Sequence, residues 1–245
     1  VVVGDVPLGS GLSSSAALTC ATSFALSKLF DLNLSKLDIA KVGQQTEHEA
    51  VGVRCGIMDQ FASVFGQDNS LIKLDCRSLE YEYIPIELNG YEILLLNTNV
   101  KHSLASSAYN KRREACEAAV ALVKEKYPQV ESLRDVSIAQ LDELVKDVSA
   151  EYYQKSKFVV EENERLLKAT EALKANNIDS LGQLLYDAHW ALSKEYEVSC
   201  DELDFLVSTV ATYPEVAGAR MMGGGFGGCT INIIKEGKSK GVIDK

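Results

Sequence analysis

The chain has 245 residues, 46% of them apolar, and carries 25 basic against 35 acidic residues, for a net charge of −10. This length and composition suit one large or two small folded units with a sizeable core, and the acidic balance argues against a nucleic-acid or membrane-surface binder. No run approaches 18 consecutive apolar residues, so no spanning helix is expected, and six scattered cysteines without a CxxC pair read as reduced, mostly buried thiols of a cytoplasmic protein.

In chain order, Val1, Val2 and Val3 read as the tail of a strand, with neither an initiating Met nor a basic leader. Residues 13–30 carry apolar side chains at three- and four-residue spacing and predict a helix. Ser35 and Asp38 form a capping-box pattern that opens a second helix reaching about Val51, and a short helix is expected over 58–65. The segments "SLIKLDC", "EYEYIPI" and "YEILLLNT" are short, β-rich and bounded by turn residues, so they predict antiparallel strands. Helices follow over 107–126, 138–147, 153–175, 179–196 and 201–212, the last capped by Ser199 with Glu202. Two strands, about 216–221 and 228–234, flank a glycine cluster, and "KSKGVIDK" reads as a helix that stops part-way. Strands, then helices, then strands predict an α+β fold. The two interrupted ends predict a piece of a longer protein.

Four segments carry chemistry. "PLGSGLSSSAAL" starts with Pro7 and places glycines before a helix start, where backbone N–H groups and the dipole favour an anion and a serine hydroxyl can cap the helix or hold a divalent cation. An ordinary turn with a serine cap explains the same residues. The P-loop pattern is excluded, because no lysine lies between Val1 and Ser27. "EHEAVGVRCGIMDQ" places Glu47 and Glu49 near a helix end, where the dipole disfavours them, and Asp59 at the start of the next helix, where it could equally be a cap. "RMMGGGFGGC" has five glycines in six positions, either a mobile hairpin or a place where backbone approaches something closely. "NTNVKHSL", with Tyr109 soon after, is a polar loop following an apolar strand.

Together these four segments resemble the GHMP family of small-molecule kinases over nearly the whole chain. "CGIMDQF" and "NTNVKHSLASSAY" are similar to the branch of that family that phosphorylates galactose. The resemblance implies a two-lobed α+β fold, with the remainder of a nucleotide-binding lobe over residues 1–88 and a second lobe over 89–245. It implies ATP and galactose as substrates, Mg²⁺ as cofactor, and transfer of phosphate to the anomeric hydroxyl. Gly9, Ser10, Gly11, Leu12, Ser13, Ser14 and Ser15 would cradle the nucleotide phosphates. Ser15 and Glu47 would hold the metal, Asp59 would act as catalytic base or orienting group, and Gly56, Asp59 and Tyr109 would face the sugar. The family's first motif, with an arginine that assists the base and acids that grip the sugar hydroxyls, lies upstream of Val1. The activity is therefore expected of a longer parent, with the chain alone inactive. A kinase for a related sugar such as N-acetylgalactosamine, or a non-catalytic sugar sensor, would share these segments. Intact Ser13, Ser14, Ser15, Glu47 and Asp59 favour catalysis over sensing.

Overall fold

The computed structural model describes residues 1–100 and 105–244, so Lys101, His102, Ser103 and Leu104 of the fourth segment lie outside the described residues. Helix α1 (Ser14–Leu29) is followed by α2 (Lys36–Thr46), which runs on as a π-helical turn (Glu47–Val51), and then by α3 (Met58–Phe65). The capping box on α2 forms: Ser35 Oγ accepts from Asp38 N at 3.1 Å and Asp38 Oδ2 accepts from Ser35 N at 3.0 Å. A two-stranded antiparallel hairpin joins β1 (Ser70–Leu74) to β2 (Tyr81–Pro85).

Strand β3 (Tyr91–Asn97) pairs far along the chain, antiparallel to β5 (Cys229–Lys235), which also pairs with β4 (Val216–Met221). The order is β3-β5-β4. Strands β4 and β5 bury residues on both faces, as expected of strands inside the core. Between β3 and β4 run α4 (Ala105–Lys126), α5 (Ile138–Leu144), α6 (Ala150–Lys174), α7 (Ile178–Ala191) with a π turn at its end (Leu192–Tyr196), and α8 (Asp201–Val210). A short α9 (Ser239–Ile243) follows β5. The fold is α+β, as the order of elements predicted.

One core cluster joins α4, α5 and α6 through Ala119, Val123, Leu141, Val145 and Val160. A second gathers Phe158, Leu192, Val198, Leu203 and Met221, with Phe226 packed on it, behind the glycine cluster. Helix α7 lies against β4 at backbone distance: a Cβ on Gly182 would collide with the Ala217 carbonyl oxygen, and one on Gly218 with Gly182. Gly182→Ala is therefore expected to cost about 1–3 kcal/mol of overpacking. Thermal unfolding should show a loss of roughly 2–4 °C for each kcal/mol; an unchanged midpoint would mean that α7 and β4 do not meet this closely.

Several expectations differ. Val1, Val2 and Val3 form no strand, and α2 gives way to the π turn before Val51. Ser199 and Glu202 do not cap α8. The N-cap is Cys200 with no side-chain bond, and Ser199 Oγ donates to Asp204 Oδ1 at 2.6 Å. That carboxylate also accepts from Ser193 Oγ at 2.6 Å and Lys194 Nζ at 3.1 Å, so a local polar cluster outcompetes the cap. Of the six unpaired cysteines, only Cys20 and Cys229 are buried, and Cys76 is exposed. No helix among the described residues is long and apolar enough to cross a membrane.

Candidate active site

The glycine loop before α1 takes the conformation its composition permits. Gly9, Gly11 and Ser13 all have positive φ, at 71°, 75° and 55°. Ser13 is the N-cap of α1, yet its hydroxyl makes no capping bond. Ser10 is buried, and its hydroxyl donates to the Pro7 carbonyl at 2.8 Å, which closes the loop on itself. The second glycine cluster, more than 200 residues away in sequence, lies on this loop. A Cβ on Gly223 would sit 3.2 Å from the Gly11 carbonyl oxygen, and one on Gly228 would sit 2.9 Å from the Ser10 carbonyl oxygen. Two backbones meet here with no room for side chains between them.

Glu47 begins the π turn that continues α2. Single π turns inside helices recur at functional sites, because the inserted residue re-aims the side chains around it. Here Glu47 is buried, and its Oε1 accepts from the Ser15 hydroxyl. Among the described residues that hydroxyl is its one hydrogen-bond donor, and a carboxylate has room for several. Among the described residues no cluster of three or more His, Cys, Asp or Glu side chains forms a metal cage. The Ser15–Glu47 pair offers two hard oxygen donors and leaves other positions to water and phosphate, the coordination that suits Mg²⁺.

The turn after Gly52 is fastened from two sides. His48 Nε2 and Gln44 Nε2 donate to the Cys55 carbonyl at 2.8 and 3.1 Å. From α4, Asn110 Nδ2 donates to the Gly52 carbonyl at 3.1 Å, Arg54 N donates to Asn110 Oδ1 at 3.1 Å, and Arg113 Nη1 donates to the Arg54 carbonyl at 2.8 Å. This docking sets Gly56 beside Tyr109. Burial raises the Tyr109 phenol above its usual pKa, with the neighbouring Cys55 adding to it and a hydrogen bond from the Gly56 backbone working against it. The Cys55 thiol is raised too, first by burial and then by Glu47 and Asp59, which makes it a poor nucleophile.

Asp59 stands in the first turn of α3. Its N-cap is Ile57, so Asp59 is not the cap. Among the described residues no hydrogen bond or ion pair engages its carboxylate, while it lines the same cavity as Ser15 and Glu47.

That cavity has a volume of about 420 Å³. Ser13, Ser15, Glu47, Gly56, Asp59 and Tyr109 line it, with Gly223, Gly224, Gly225 and Phe226 opposite. Gly9, Ser10, Gly11, Leu12 and Ser14 lie outside its wall, on the loop and helix start that border it. Sequence reasoning missed Val53, Ala16, Met58, Gln60, Cys55 and Phe226, which also line it. Their residue types carry no signal, although the position of Phe226 inside the glycine cluster was a usable hint. Among the described residues the lining contains no Lys or Arg, so an anion there would rely on helix N-termini, backbone N–H groups and a cation.

Fold and site define a class: an α+β protein in which a glycine loop and a helix N-terminus, without a P-loop lysine, face one cavity with two carboxylates. Two family models match the chain, the GHMP kinases N terminal domain over residues 1–67 and the GHMP kinases C terminal domain over residues 169–245. The chain belongs to the GHMP kinase family. It is 47% identical over 236 residues to a galactokinase of Thermotoga maritima, covering 96% of this chain and 65% of the relative. It is 45% identical to a galactokinase of Thermosipho africanus, covering 98% of this chain and 66% of the relative. The chain thus spans just under two thirds of the length of the relatives it matches. A crystal structure of Lactococcus lactis galactokinase complexed with galactose superposes with a TM-score of 0.92 at 37% identity, covering 98% of this chain and 62% of that one. A crystal structure of L. major mevalonate kinase in complex with R-mevalonate superposes with a TM-score of 0.56 at 22% identity, covering 95% of this chain and 60% of that one, and shares the fold alone.

Proposed function

We propose that the protein carrying this chain transfers the γ-phosphate of ATP to the anomeric hydroxyl of galactose. The observation that carries the reading is the convergence on one cavity of Asp59, whose carboxylate has no hydrogen-bond or ion-pair partner among the described residues, and of Ser15 at the start of α1 bonded to the buried Glu47. The galactokinase relatives, which match over nearly all of this chain, supply the sugar.

Phosphoryl transfer asks a protein mainly for positioning and charge stabilisation. The loop from Gly9 to Ser15 would present backbone N–H groups to the β- and γ-phosphates. Gly56 and Tyr109 would hold the sugar against Asp59. As the anomeric oxygen bonds to the γ-phosphorus and the bond to the β-bridging oxygen breaks, Asp59 accepts the hydroxyl proton and ADP departs. Mg²⁺ held by Ser15 and Glu47 would neutralise phosphate charge. The same reading divides the chain into lobes at about residues 1–88 and 89–245, with the cavity between them, and places the protein in the cytoplasm, in keeping with its unpaired cysteines.

Glu47→Gln tests the metal role. The amide still accepts from Ser15 but loses its charge. The variant is expected to raise the Mg²⁺ concentration for half-maximal rate by about tenfold, and a Mg²⁺ requirement that stays put would make Glu47 an ordinary buried carboxylate.

A further inference from the structure

Two cations lie behind the glycine cluster, outside the cavity. Lys155, in the second turn of α6, is only 1% exposed. Its ammonium donates to the Glu195 carbonyl at 2.7 Å and to Glu197 Oε2 at 2.6 Å. Arg112 lies one turn beyond Tyr109 on α4. Its Nε donates to the Tyr196 carbonyl at 2.7 Å, and its Nη2 donates to the Glu197 carbonyl at 3.2 Å. Three successive carbonyls at the end of a helix, which a helix cannot satisfy itself, are thus taken by two cations.

The segment they grip is not relaxed. Glu197 is a non-glycine residue at φ 56°, a conformation that persists where the surroundings enforce it. Burying an ammonium is costly, and an apolar residue of similar size would fill the same space more cheaply. The lysine therefore does something that packing alone would not require. The next residue shows what. The Val198 carbonyl accepts from the Phe226 N–H at 2.6 Å, and a Cβ on Gly225 would collide with that same oxygen. Gly225 and Phe226 line the cavity. The ring of Tyr196 stacks on Phe158 with centroids 4.6 Å apart, so the segment is also pinned from its apolar side.

We infer that Lys155 and Arg112 are positioning residues: they fix the 195–198 segment, and through the Val198 carbonyl they set how far the 223–226 glycines reach into the cavity. This rests on reading that cavity as the active site. Helix α4 carries both Tyr109 and Arg112, and a Cβ on Gly224 would lie 3.7 Å from the Tyr109 ring. One rigid helix therefore locates both the sugar-side wall and the glycine loop opposite it.

The test is deuterium exchange of peptides covering residues 222–228, with the β1–β2 hairpin as internal reference. Lys155→Met keeps the apolar stem and removes the donor. It should speed exchange at 222–228 by about tenfold or more and leave the hairpin within about twofold of native. Glu197→Ala should speed the same peptides by about threefold, whereas Glu197→Gln, whose amide oxygen still accepts from Lys155, should restore the native rate. Should Lys155→Met fail to fold, the Glu197 pair decides. Unchanged exchange at 222–228 in Lys155→Met, equal acceleration of the hairpin, or equal rates for the two Glu197 variants would overturn the inference. No nucleotide or sugar enters the measurement, so its outcome is separate from that of the phosphotransfer reading, which Mg-ATP calorimetry reports.

Discussion

Asp59→Asn in the protein carrying this chain is expected to lower turnover by about 10²–10⁴-fold, the usual contribution of a positioned base. The substitution keeps the shape of the side chain and removes its charge and its proton-accepting oxygen. The structure gives a separate reason to expect the fold to survive. Asp59 caps no helix, and among the described residues it makes no hydrogen bond or ion pair that the amide would break. Its melting temperature should therefore stay within a few degrees of native, because surface changes away from such features cost about 0.5 kcal/mol or less. Steady-state kinetics beside a thermal melt separates the two effects. Near-normal turnover would remove Asp59 as base, and a large loss of stability would make the kinetic result a folding effect.

Gly11→Val should weaken Mg-ATP binding by about 10- to 100-fold. Gly11 sits at φ 75°, a region that a β-branched residue enters only at a cost of about 1–3 kcal/mol, and each 1.4 kcal/mol is about tenfold in affinity. A Cβ there would already lie 3.5 Å from Gly228 Cα, so the branches of valine would press the two glycine loops apart. Gly4 provides the control, since a Cβ there meets nothing within 4 Å, and Gly4→Val should bind nucleotide as the native protein does. Calorimetric titration with Mg-ATP decides it, and equal affinity for the Gly11 and Gly4 variants would reject this loop as the phosphate site.

Much of this architecture was legible because it is local. The Ser35–Asp38 box, the start and end of α3, and strands β4 and β5 follow from residues within a few positions of each other. The turn into α1 was legible too, since glycines before a run of serines allow the positive φ angles that Gly9 and Gly11 adopt there. What escaped depends on long-range contact. A π turn leaves no periodic mark, so α2 was expected to run regularly to Val51 and the inward aim of Glu47 could not be read from spacing. Ser199 and Glu202 have the spacing of a cap, but Asp204 takes the serine hydroxyl instead, and no pattern of sequence weighs those two bonds. Lys155 looks like any solvated helix lysine, and the partners that hold its ammonium arrive with the 195–197 segment that follows α7. The meeting of Gly11 with Gly228 is likewise invisible along the chain, although five glycines in six positions signalled that some backbone had to come close.

The proposed reaction places a phosphate on the anomeric oxygen of a sugar held in this cavity. The direct measurement is ³¹P NMR of the product formed from ATP and galactose by the protein at the length of its relatives, with N-acetylgalactosamine and sugar-free mixtures in parallel. The account predicts one new phosphomonoester signal, coupled to the anomeric proton of galactose and appearing in step with ADP. ADP without a phosphosugar, a signal from a non-anomeric position, or a faster reaction with N-acetylgalactosamine would contradict it.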